Sequence, residues 1–131
     1  MLHAVTPGSV FSDNMVIQRD APVRVWGTAA PGETVTVTFR GASASAVADR
    51  NGRWLAALPA FPAFDRGAAL KISGRTTVTY DNVLTGDIWL CAGQSNMQFE
   101  LSRVKNGAKL AAESTNNKIR LLQIPLAWNR N

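Results

Sequence analysis

The chain has 131 residues, of which 46% are hydrophobic and 18% charged, a composition with enough apolar surface to bury a core and no low-complexity tract to suggest disorder. Its apolar runs are too short to cross a bilayer, and its fourteen lysines and arginines, net charge +5, stand singly rather than in the patch that a nucleic acid requires. Residues 1–14 lack a basic start followed by an apolar stretch, so no signal peptide is visible. A leader removed from the front would leave the same sequence.

Residues 15–84 read as β-structure. Six short runs rich in β-branched and aromatic residues follow one another: 23–28, 34–39, 44–48, 53–58, 69–73 and 76–80. Several alternate with period two, the pattern of a strand with one buried face. Pro31-Gly32 suits a type II turn. Asn51-Gly52 suits a type I′ hairpin turn joining 44–48 to 53–58. Strands at this spacing with no helical period between them predict an antiparallel β-sandwich, with Trp26 and Trp54 in its core.

The pattern then changes. "DIWLCA" (87–92) is a continuous apolar run, expected of a strand buried on both faces. A polar turn, Gly93-Gln94-Ser95-Asn96, follows it. Residues 106–114 carry Ala, Leu, Lys and Glu at helical spacing, with Ala108, Ala111 and Ala112 on one side. "KIRLLQI" (118–124) is a second strand candidate, closed by Pro125. Strand, turn, helix and strand make a β-α-β unit, so the chain divides into a sandwich domain, 1–84, and the start of an α/β domain, 85–131.

Ser95 sits where α/β sheets collect their reactive groups, just past the carboxyl end of a predicted strand. A serine nucleophile needs a base for its proton and amide donors for the developing oxyanion. A turn entered through Gly93 would expose its Oγ, while the common alternative for such a serine is a local cap. The stretch is not G-x-S-x-G, since Met97 stands at the last position. Cys91 is the only cysteine and reads as a small buried hydrophobe. His3 is the only histidine, near the start of the chain, and no metal-ligand set is present.

"GDIWLCAGQSNMQFEL" (86–101) resembles the nucleophile block of the sialate O-acetylesterase family, carbohydrate esterases of the SGNH-hydrolase fold. "VFSDNMVIQRDAPVRVWGTAAPGETVTVTF" (10–39) resembles that family's opening, where a small sandwich precedes the hydrolase domain, and "NKIRLLQIP" (117–125) resembles the second hydrolase strand. The resemblance covers the N-terminal portion of the family only. It departs at Gln98-Phe99, where the family often has Glu-Trp, and at Ala92, where it often has Ser.

That resemblance implies a serine esterase that removes O-acetyl groups from carbohydrates such as sialic acid or acetylated xylan, with no cofactor. Ser95 would be the nucleophile and its own amide one oxyanion donor, presented by Gly93, Gln94 and Asn96. The family's histidine and aspartate fall late in the hydrolase domain. The expectation is an incomplete SGNH domain whose remainder, a second polypeptide fragment, carries the base, and an extracytoplasmic enzyme, with a cytoplasmic one left open. The alternative is a non-catalytic β-sandwich module that binds carbohydrate or a partner through Trp26, Trp54, Trp89 or Trp128.

Overall fold

The computed structural model describes residues 4–124. The chain separates into two compact units, one reaching Ile88 and the other starting at Trp89.

The first unit holds eight strands: β1 (Thr6–Pro7), β2 (Val16–Gln18), β3 (Pro22–Thr28), β4 (Thr34–Phe39), β5 (Ala42–Val47), β6 (Arg53–Ala60), β7 (Phe64–Ser73) and β8 (Thr77–Gly86). They form a three-stranded sheet of order β1-β3-β6 and a five-stranded sheet of order β2-β8-β7-β4-β5. Alternation drives the packing. Val23 and Val25 of β3 and Trp54, Ala56 and Leu58 of β6 are buried from one sheet. Val35, Val37 and Phe39 of β4, Leu70 and Ile72 of β7, and Val83 of β8 are buried from the other, and all join one core cluster. Each Val, Leu, Ile or Phe among them, withdrawn from water, contributes about 1.5–3 kcal/mol.

Three sequence expectations need correction in this unit. The sheets are not wholly antiparallel: β2 runs parallel to β8, pairing Val16 with Leu84 and Gln18 with Gly86. Parallel neighbours need a long connection, and the intervening strands of the unit supply it. The type I′ hairpin lies at Arg40-Gly41, where both residues have positive φ (48° and 80°) and Phe39 pairs with Ala42.

Asn51-Gly52 does not make a hairpin, because β5 pairs with β4 while β6 pairs with β3 in the other sheet. Only Gly52 has positive φ there. Asp49 closes that corner, its Oδ1 accepting the Asn51 and Arg53 amides at 2.8 and 2.9 Å. Lastly, Trp26 is 43% exposed rather than buried. Val23 and Val25 hold the inward register of β3, and period two then sends Trp26 outward. At Pro31-Gly32 the expected features are present: Gly32 has φ 78° and the Glu33 amide bonds the Ala30 carbonyl at 2.9 Å.

In the second unit the described residues form two 3₁₀ turns, Ser95–Met97 and Leu101–Arg103, and one helix, α1 (Gly107–Glu113). Asn106 opens α1 from a left-handed conformation, and Lys109 pairs with Glu113 one turn on, at 3.8 Å. Neither 87–92 nor 118–124 forms a strand. A strand exists only by pairing its amides and carbonyls with a neighbour, and a parallel strand needs its faces covered as well. Neither segment has such neighbours among the described residues. Trp89, Leu90 and Leu121 are 86, 87 and 94% exposed, and only Gly107 is buried. The strand end at Pro125 lies outside the described residues.

Candidate active site

The stretch from Gly93 to Gln98 folds back tightly. The Met97 amide bonds the Gln94 carbonyl at 2.9 Å and the Gln98 amide bonds the Ser95 carbonyl at 3.1 Å. Glycine suits the entry, because a Cβ on Gly93 would lie 2.4 Å from Cγ of Met97 and would force that side chain aside. Gln94, at φ −100° and ψ −143°, leads into the turn without capping it through its side chain. Ser95 is therefore its first residue, where amides have no acceptor within the turn itself.

Ser95 is exposed. Its Oγ makes no hydrogen bond among the described residues, so the local-cap role is not what this geometry shows. Asn96 is likewise exposed, and Met97 and Phe99 beside it are 53 and 56% exposed. The nearest acid in sequence, Glu100, is occupied: it accepts from Ser102 Oγ at 3.2 Å and pairs with Arg103 at 3.5 Å.

The turn thus brings together Gly93, Gln94, Ser95 and Asn96 but supplies no base. His3 lies outside the described residues, as does Trp128. No group of three or more histidine, cysteine or acidic residues that could hold a metal occurs among the described residues. Cys91 is exposed, contrary to its expected burial, because 87–92 lacks the sheet that would cover it. Trp54 is buried as expected, at 3% exposure. What the sequence reading missed is the outward face of Trp26. The parity of Val23 and Val25 was the signal that could have shown it.

No family model matches the chain. It is 30% identical over 132 residues to the sialate O-acetylesterase of Homo sapiens, covering 88% of this chain and 24% of that protein. Against the sialate O-acetylesterase of Mus musculus it is 31% identical over 134 residues, covering 90% of this chain and 24% of the other. The crystal structure of a carbohydrate acetylesterase from Xanthomonas citri superposes with a TM-score of 0.83 at 33% identity, over 87% of this chain and 26% of that one. The chain spans about a quarter of the length of these relatives. Over that span it is a homologue of the sialate O-acetylesterases.

Proposed function

We propose that this chain carries the nucleophile of a serine esterase that removes O-acetyl groups from carbohydrates. The observation that carries the reading is Ser95: an exposed, unbonded hydroxyl on a glycine-entered turn, in a chain homologous to esterases. In the reaction, Oγ attacks the acetyl carbonyl as its proton passes to a histidine. The Ser95 amide donates to the oxyanion so formed. Collapse of that intermediate expels the sugar alkoxide, which takes the proton from the histidine. Water, deprotonated by the same histidine, then attacks the acyl-serine and releases acetate. The substrate is an acetylated sugar, sialic acid or a polysaccharide such as xylan.

The histidine and its aspartate belong, on this reading, to the hydrolase portion outside these residues, carried by a second polypeptide fragment. Two facts support placing that hydrolase portion outside these residues. The chain matches only a quarter of its relatives' length. Trp89, Leu90, Leu121, Leu122 and Ile124 stand in water, 67–94% exposed, as strands do that lack their sheet. In the complete hydrolase, 87–92 and 118–124 then pair as strands and place Ser95 at the end of the first.

A non-catalytic module is the second reading, favoured by one fact: the unit reaching Ile88 has its own core. Treating the complete protein with a serine-reactive organophosphonate separates the two. Mass spectrometry should find the adduct on Ser95. An unmodified protein would favour the module.

A further inference from the structure

The two-sheet unit carries an open groove of about 780 Å³ that lies wholly within residues 6–55. Trp26 and Leu55 are cross-strand partners on the outer face of the β1-β3-β6 sheet, 43 and 56% exposed, and both line it. The indole is held firmly. A Cβ on Gly8 would lie 2.6 Å from Trp26 Nε1, so only glycine allows that close backing. Phe11 meets the indole edge-on, centroids 4.8 Å apart at 67°. A rigid aromatic surface thus faces water at no further ordering cost.

Polar groups stand at its rim. Asp49 is fixed by the two amides bonded to its Oδ1, which leaves Oδ2 with no hydrogen bond among the described residues. Arg53 has no ion-pair partner among them either. Trp54 borders the same lining, but its side chain is buried in the core and does not take part in the contact proposed below.

We propose that this groove is a saccharide subsite that seats one pyranose ring of a glycan on Trp26. The C–H face of the ring covers the indole, which is apolar across its plane. Asp49 accepts from ring hydroxyls, and Arg53 donates to them. A protein partner suits the groove less well. Protein interfaces centre on clustered apolar side chains and are depleted in Asp. Here an exposed indole and a leucine share the lining with a carboxylate and a guanidinium that lie together at one corner. The inference rests on the esterase reading for its ligand class alone, since Ser95 takes no part in the groove.

The test is a titration of the ¹⁵N-labelled chain with acetylated xylo-oligosaccharides and, separately, with O-acetylated N-acetylneuraminic acid. The indole Nε1–H signal of Trp26 should shift saturably, with a Kd on the order of millimolar or tighter, while that of Trp89 stays in place. The sugar that moves it identifies the source of the ring. Trp26→Ala should weaken binding by about tenfold. Arg53→Ala, at an exposed position, should weaken it without changing the rest of the spectrum, and it keeps the test valid if Trp26→Ala does not fold. The proposal is overturned if neither sugar moves the Trp26 signal, if Trp26→Ala and Arg53→Ala bind as the parent does, or if the response vanishes in the complete esterase because protein covers the groove. A failure here with Ser95 still labelled by organophosphonate would leave the esterase reading standing.

Discussion

Replacing Phe39 by alanine tests whether the two sheets are held by their shared core. Phe39 is fully buried at the end of β4, pairs with Ala42 on one side and Leu70 on the other, and meets Phe61 edge-on at 5.3 Å and 83°. Its neighbours are strands paired on both sides, so they have little freedom to collapse into the space left behind. Truncations of this kind cost about 3–5 kcal/mol, the transfer of the ring plus the cavity. A unit of roughly 85 residues has a total stability of about 4–13 kcal/mol, so the variant loses about a quarter of it or more. Its Tm should fall by at least ~12 °C. Urea unfolding followed by tryptophan fluorescence is the assay, because buried Trp54 reports the transition while Trp89 is already in water. An unchanged slope with a loss below about 1 kcal/mol would refute the shared-core argument.

Ser95→Ala should leave the stability of the chain within about 0.5 kcal/mol, since the hydroxyl is exposed and unbonded. In the complete protein it should cut acetate release by on the order of a thousandfold or more. Activity within tenfold of the parent would remove Ser95 from the chemistry. Glu33 makes stability depend on pH. Its buried carboxylate accepts the Arg75 amide at 2.6 Å and the Ala30 amide at 3.1 Å. The Arg75 hydrogen bond above all holds it below the usual glutamate range, against burial, which pushes it up. A depressed value stabilises the fold above the unfolded-state value, and that contribution is lost as pH falls through the folded one. Thermal scans should therefore show Tm dropping below the usual glutamate range, with a shallower drop in Glu33→Gln. Parallel curves for the two proteins would contradict this role.

The turn at 93–98 was legible because its requirement is local: a side chain at Gly93 would crowd Met97 as it folds back, and Ser95 follows two positions on. The same holds for Gly32 after Pro31, for the helix at 107–113, and for the alternation that buries Val35, Val37 and Phe39. Each is settled by the φ a residue can adopt or by the period of its neighbours, and both are written in a few consecutive residues. Which strands share a sheet was not legible. Asn51-Gly52 looked like a hairpin, yet β5 and β6 part there to different sheets, because partners far along the chain, β4 and β3, complete their hydrogen bonds. Trp26 and Trp54 differ by parity: Val23 and Val25 hold the inward register of β3 and leave Trp26 outside, while Trp54 shares the inward face of β6 with Ala56 and Leu58. The runs at 87–92 and 118–124 show the limit most directly. Their composition is that of buried strands, but a strand is a property of a pair, and among the described residues neither has its partner. Local sequence therefore determined turns, helix and alternation, while tertiary structure decided pairing, because ladder hydrogen bonds and buried faces join residues that local sequence cannot relate.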